Sequence, residues 1–201
     1  MIAKQQITVQ IMAGGRSSRM GRDKALVQLG GQTLAMRALE QWHGWGAKIL
    51  YSVGSRPAPV WLPDWAEPVW DTHPECGPMG GLEAGLLCCV TPYLLLCAVD
   101  LPFVTPKHGE RLAAAIGRAD SCAFCRDGME EPLFGLYRAE SCLPVVVRRL
   151  EQGQFRMREL FSEWNSVLIP TTEEEMFRNL NTQQDLEQAR QLLERAANHS
   201  R

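Results

Sequence analysis

Short apolar runs and helix-length segments take turns along this chain, and that alternation limits the folds open to it more than any other feature. The runs are ITVQIMA (7–13), AKILYSV (47–53), EPVW (67–70), YLLLCAV (93–99), SCAFC (121–125), LFGLY (133–137) and SVLIP (166–170). Most are rich in β-branched or aromatic residues and read as strands. YLLLCAV is apolar on both alternating faces, as a central strand covered on both sides must be. Between the strands, TLAMRALEQW (33–42) sets Ala35, Ala38, Leu39 and Trp42 on one face behind Thr33 as an N-cap. MGGLEAGLLCC (79–89), TPKHGERLAAAIG (105–117) and AESCLPVVVRRLEQ (139–152) follow, the last expected to break near Pro144. The clearest helix is the last: Thr182-Gln183-Gln184-Asp185 resembles a capping box ahead of Leu186, Ala189, Leu193 and Ala196. Strands alternating with helices make βαβ units and a mainly parallel sheet, which offers ligands a place beyond the carboxyl ends of its strands.

Composition narrows the partners. A chain of 201 residues suits one core, and 21 Lys+Arg against 23 Asp+Glu leave a net charge of −2. Gripping a nucleic-acid backbone needs a basic excess, so no nucleic-acid partner is expected. Residues 84–99, AGLLCCVTPYLLLCAV, carry no charge for sixteen positions, fewer than the roughly 18–20 that span a bilayer. Thr91-Pro92 inside the run marks a turn between two buried elements. The N-terminus lacks the long apolar region of a signal peptide, so the expectation is a cytoplasmic protein without a membrane partner. Seven cysteines, an odd number, argue against a disulfide framework. Cys122 and Cys125 lack a second pair at zinc-ligand spacing, and in a strand they would point to opposite faces.

The first strand runs directly into MAGGRSSRMGRDK (12–24). Gly14-Gly15 remove side chains where the backbone turns, and Arg16, Arg19, Arg22 and Lys24 place four cations within nine residues. Backbone amides and cations together suit a phosphate group. The run has neither the Gly-Lys-Ser/Thr nor the Gly-x-Gly-x-x-Gly pattern of the commonest phosphate loops. By content alone a basic, solvated surface turn remains an alternative.

With Ala13-Gly14-Gly15, Ser18-Arg19-Met20-Gly21 and Asp23-Lys24, the chain resembles nucleotidyltransferases with a Rossmann-like fold. The Met-Gly-x-Asp-Lys form is most similar to the molybdenum cofactor guanylyltransferases. The resemblance implies a single-domain, three-layer α/β/α protein of the nucleotide-diphospho-sugar transferase kind over residues 1–201. Its nucleotide half would span about 1–105 and its acceptor half about 106–201. It implies GMP transfer from GTP to the terminal phosphate of molybdopterin, or Mo-molybdopterin. Mg2+ would be the cofactor and a monomer the expected state, with molybdenum cofactor biosynthesis proteins and acceptor molybdoenzymes as further partners. The chain departs from the family in Met12, where leucine is usual, and in Ser52-Val53-Gly54-Ser55, where an asparagine is common.

Asp71 follows EPVW and Asp100 follows YLLLCAV, so each carboxylate stands at the carboxyl end of an apolar run. Transfer from a triphosphate needs a hard cation, and magnesium takes carboxylate and phosphate oxygens. By resemblance Asp100 is the magnesium ligand, supported by Asp71 as the second aspartate of the nucleotide site. His73 is left as a loop residue, since magnesium disfavours imidazole. Met12, Ala13, Gly14, Gly15, Lys24, Asp71, Gly77, Gly81 and Asp100 are then the expected nucleotide-binding residues, with Lys24, Arg19 and Asp100 the catalytic ones. Gly77 and Gly81 belong to a second glycine-rich loop that opens a helix and offers free amides.

On the acceptor side, Glu131–Tyr137 resembles a family segment, and Asn179 and Asn181 the paired asparagines before the last helix. Their amides suit a pterin edge, although by themselves they equally suit a turn and an N-cap. Arg156, with Arg158, could meet the acceptor phosphate; a solvated helix face explains both nearly as well. The tryptophans read mainly as packing residues. Three alternatives stay open: CTP in place of GTP, another phosphorylated acceptor, and a nucleotide-binding module without catalysis.

Overall fold

The structure, a computed structural model, describes residues 2–13 and 23–199, with side chains to residue 195. All seven expected strands form one sheet. They are β1 (Ile7–Met12), β4 (Lys48–Gly54), β5 (Ala66–Trp70), β6 (Tyr93–Ala98), β7 (Ser121–Arg126), β8 (Met129–Arg138) and β9 (Ser166–Pro170). Two strands of two residues each, β2 (Gln28–Leu29) and β3 (Gln32–Thr33), pair separately as a small hairpin. The large sheet has the order β5-β4-β1-β6-β8-β7-β9. Its pairs are parallel except those made by β8, which runs antiparallel to β6 and to β7. The reason lies in the link between β7 and β8. Asp127 and Gly128 both take positive φ, 51° and 75°, the conformation of a two-residue hairpin turn, and so short a link can join only antiparallel strands.

The helices are α1 (Leu34–Trp42), α2 (Pro78–Leu87), α3 (Pro106–Ala115), α4 (Ala139–Glu151) and α5 (Gln183–His199). They cover both faces, giving the expected three layers. Leu34, Leu39 and Trp42 of α1, Leu112 of α3 and Leu186 and Ala189 of α5 pack with Leu95 and Cys97. Leu82 of α2 and Val146 and Leu150 of α4 pack with Leu94 and Leu96. Successive residues of β6 therefore serve opposite cores, the two-residue period of a buried strand. Local signals operate as expected. Thr33 Oγ1 accepts from Met36 N at 3.2 Å. Thr182 Oγ1 accepts from Asp185 N at 3.1 Å, and Asp185 Oδ2 from Thr182 N at 2.8 Å.

Pro144 does not break its helix; α4 runs through it. The proline removes one helical N–H, but it lies on the exposed side, where water can satisfy the released carbonyl of Glu140. Cys142, Val146 and Leu150 on the opposite side stay in the core. Cys122 is buried and Cys125 half-buried, and all seven cysteines are free thiols. Among the described residues no helix is long and apolar enough to cross a membrane.

One buried polar group ties the layers together beside the site. Gln10 of β1 donates through Nε2 to Ser52 Oγ of β4 at 2.6 Å and to Gly81 O of α2 at 2.7 Å. The amide fits because residue 85 is glycine: a Cβ there would stand 1.9 Å from Gln10 Oε1.

Candidate active site

The carboxyl edge of β1 ends in Met12 and Ala13, both buried. β6 lies alongside in parallel and remains attached just past its end, where Val99 N donates to Met12 O at 3.1 Å. One residue on, β6 delivers Asp100. The chain returns to this edge at a 3-10 turn, Lys24–Leu26, capped by Asp23, whose Oδ1 accepts from Ala25 N at 3.1 Å. The turn aims Lys24 at Asp100: Nζ stands 2.6 Å from Oδ2, with each side chain 17% exposed. Asn181, from the segment before α5, accepts from the same ammonium through Oδ1 at 2.7 Å. That segment is itself anchored here, since Leu180 N donates to Asp100 O at 3.1 Å.

Asp100 suits a hard cation. Its Oδ1 is buried without a hydrogen-bond partner among the described residues, a costly state for a carboxylate oxygen unless a positive ligand meets it. No cluster of three or more His, Cys, Asp or Glu able to hold a metal occurs among the described residues. An ion here would take its other ligands from phosphate and water, as magnesium does with nucleotides.

Asp71 stands elsewhere in the cleft. Three strand spacings separate β5 from β6, about 14 Å at the usual 4.7–4.9 Å per step. The expectation that Asp71 supports the ion on Asp100 is therefore revised: it stands in a different part of the cleft. Its amide donates to Gly54 O at 3.1 Å. Gly54, Gly80 and Gly81 surround its carboxylate, and Cβ atoms added to them would lie 3.8–3.9 Å from its oxygens. Burial, and next the charge of Glu83, push the Asp71 carboxyl above its ordinary range. Glu83, buried on α2, accepts from Thr72 Oγ1 and pairs with His73 Nδ1 at 2.8 Å, which fixes the loop after Asp71 to the helix. His73 thus has its partner on α2. Gly77 caps α2 with φ of 61°, and Pro78 occupies the first helical turn, leaving the amides of the helix start directed outward. Gly81 leaves room for the Met12 side chain: a Cβ there would sit 3.0 Å from Met12 Cε.

Two further residues join the site, Arg56, which the sequence reading did not select, and Glu131, which it placed only as the start of an acceptor-side segment. Arg56, just past β4, donates through Nη2 to Ala13 O at 3.4 Å and through Nε to Val53 O at 3.3 Å, and it also pairs with Asp23. Ala13 and Asp23 flank residues 14–22, so one guanidinium connects both ends of the glycine-rich run. Its position beyond a strand's carboxyl end was the available signal. Glu131 is the second. The β6–β8 register pairs Cys97 with Phe134, and Glu131, three residues before Phe134 on β8, lies near enough to Asp100 to feel its charge. Glu131 is 8% exposed, and its Oε1 accepts from Leu133 N at 3.1 Å. Burial is the main cause raising its carboxyl, with the nearby charge of Asp100 acting in the same direction.

Gly14, Gly15, Arg16, Arg19 and Arg22 lie outside the described residues. On the acceptor side, Arg156 has a side chain 86% exposed, 3.3 Å from Glu159. Arg158 donates to Glu130 O at 3.2 Å, beside the start of β8 and hence at the carboxyl edge. Asn179 is half-buried, whereas Asn181 turns toward Lys24. Trp61 meets Tyr51 edge-on and Trp65 stacks on His43, which accounts for both as packing residues.

The chain is similar to known proteins over most of its length. The profile of the MobA-like NTP transferase domain family matches residues 9–167. A molybdenum cofactor guanylyltransferase of Bordetella petrii is 33% identical, with 94% of this chain and 99% of that protein covered. One from Ralstonia nicotianae is 32% identical over 97% of this chain and all of its own length (100%). Among solved structures, molybdopterin-guanine dinucleotide biosynthesis protein A from Archaeoglobus fulgidus superposes with a TM-score of 0.77 at 25% identity, covering 94% of this chain and 99% of that one. The 2-C-methyl-D-erythritol 4-phosphate cytidylyltransferase of Thermus thermophilus shares the fold, with a TM-score of 0.71 at 19% identity over 92% of this chain and 98% of its own.

Proposed function

Because the chain belongs to the family of MobA-like NTP transferase domains, we propose that it transfers the GMP unit of GTP to the terminal phosphate of molybdopterin and releases pyrophosphate. The observation that carries this reading is the convergence of Lys24 and Asp100 at the carboxyl ends of β1 and β6. An ammonium beside a carboxylate whose second oxygen has no partner among the described residues is what a triphosphate and its cation require.

Lys24 neutralises charge on the phosphates, aided by Arg19. The amides of residues 13–15 bind the triphosphate, and the start of α2 behind Gly77 offers further amides to it. Asp100 would hold Mg2+, which when bound neutralises charge on the oxygens of the leaving pyrophosphate. An oxygen of the acceptor phosphate attacks the α-phosphorus in line. The bond from that phosphorus to the bridging oxygen breaks, and pyrophosphate carries away the electron pair. A phosphate monoester is ionised at neutral pH, so no protein base has to remove a proton. Asp71 in its ring of glycines serves the nucleoside, and Arg156 and Asn179 the acceptor.

A thermal-shift series with GTP, CTP, ATP and UTP in magnesium tests the choice of nucleotide. A ligand present at 100 times its dissociation constant stabilises by about 2.7 kcal/mol. The largest shift is expected with GTP; a larger one with CTP would replace GMP transfer by CMP transfer.

A further inference from the structure

The two oxygens of Asp100 are in different states. Oδ2 is taken by the Lys24 ammonium at 2.6 Å, while Oδ1 is buried and has no partner among the described residues. Lys24 is held from a second side by Asn181 Oδ1 at 2.7 Å. Asn181 is fixed in turn, since its backbone amide donates to Asp185 Oδ2 at 3.0 Å and the preceding Leu180 amide to Asp100 O at 3.1 Å. Two of the three ammonium protons are thus directed at Asp100 and Asn181.

A magnesium or manganese ion binding the open oxygen of this carboxylate would do so against the charge of Lys24 as it stands. Such an ion takes oxygens at about 2.0–2.1 Å and keeps a shell of water. The ammonium occupies that space on Oδ2, and two cations a few ångströms apart in a half-buried site repel strongly.

We propose that Lys24, seated by Asn181, is the resident cation of Asp100 in the free protein, and that a divalent ion reaches this carboxylate only together with a nucleoside triphosphate, whose phosphates draw the ammonium away. The inference rests on reading the cleft as a nucleotidyltransferase site. Asn181 then acts through Lys24 as a positioning residue of the nucleotide half, although the sequence resemblance sets it on the acceptor side. Metal and nucleotide enter as one unit, and the buried carboxylate keeps a counter-ion before they arrive.

The test is a titration of the full chain with Mn2+ alone, free Mn2+ being read by electron paramagnetic resonance, without nucleotide. Lys24→Met is expected to bind Mn2+ at least about tenfold more tightly than the wild type, since a neutral side chain removes the competing charge. Lys24→Gln provides a second neutral variant, and thermal melts verify that both fold. Asn181→Ala should tighten Mn2+ binding in the same direction but less. Adding Asp100→Asn to Lys24→Met should abolish the gain. Equal affinity of wild type and the Lys24 variants, an unchanged affinity in Asn181→Ala, or a gain that survives Asp100→Asn would each overturn the proposal. A parallel melt of the wild type with GTP and Mg2+ separates the two levels. No shift there overturns the nucleotidyltransferase reading itself, whereas a GTP shift with unchanged Mn2+ affinities overturns only the role of Lys24 as resident cation.

Discussion

Lys24 and Asp100 lie 76 positions apart in the chain, yet the ammonium of one stands 2.6 Å from a carboxylate oxygen of the other. The pair closes the cleft floor between the ends of β1 and β6. If it carries the chemistry, Lys24→Ala and Asp100→Asn each lower turnover by at least about 100-fold, the scale of losing a main electrostatic stabiliser. Pyrophosphate release with GTP and molybdopterin measures this, and near wild-type release in either variant would refute the assignment.

Arg56 joins Ala13 to Asp23 across the ends of the glycine-rich run. Arg56→Met should raise the KM for GTP by about tenfold, since a hydrogen bond involving a charged group contributes about 1.5–3 kcal/mol. Arg56→Lys should restore little of it, because an ammonium cannot reproduce the planar fork that reaches three acceptors. Steady-state kinetics with GTP varied would show it, and a Lys variant equal to wild type would count against the clamp.

Gly85 faces the Gln10 amide, which is held by Ser52 and Gly81. Gly85→Ala should lower stability by about 1–3 kcal/mol, the usual cost of overpacking a filled core. Urea denaturation reads this directly; an unchanged midpoint would mean that Gln10 moves aside without loss.

Glu131 offers a pH test. Burial raises its carboxyl in the folded protein above the unfolded value, so the folded state holds that proton more firmly. Its contribution to stability is present at low pH and disappears as pH rises through the folded titration. Glu131→Gln, which keeps an oxygen for the Leu133 amide, should therefore have a higher Tm than wild type at pH 7. The difference should shrink as pH falls through the carboxylate range. Melting curves from pH 4 to 8 examine it, and a variant less stable than wild type at pH 7 would contradict it.

Much of this architecture was legible in the residues themselves. The two-residue and helical periods located the seven strands of the sheet and its five covering helices, and Thr33 and the Thr182–Asp185 pair marked two helix starts. The same reading set Asp71 and Asp100 at carboxyl ends of strands, because strand ends and caps are written in neighbouring residues. It missed the antiparallel direction of β8, although Asp127-Gly128 carries the signature of a hairpin turn, and it overstated Pro144, whose cost depends on which helix face meets water.

Taken alone, the sequence determined a sheet of βαβ units with a glycine- and arginine-rich run after its first strand and two acids at its carboxyl edge. Those features depend on residues a few positions apart. Only the tertiary structure decided which groups meet at that edge: Asn181 on Lys24, 157 positions away, Arg56 across both ends of the glycine-rich run, Glu131 within reach of the Asp100 charge, and Asp71 three strands from it. Such contacts follow from strand order and register, which set distances between parts of the chain that no local pattern encodes.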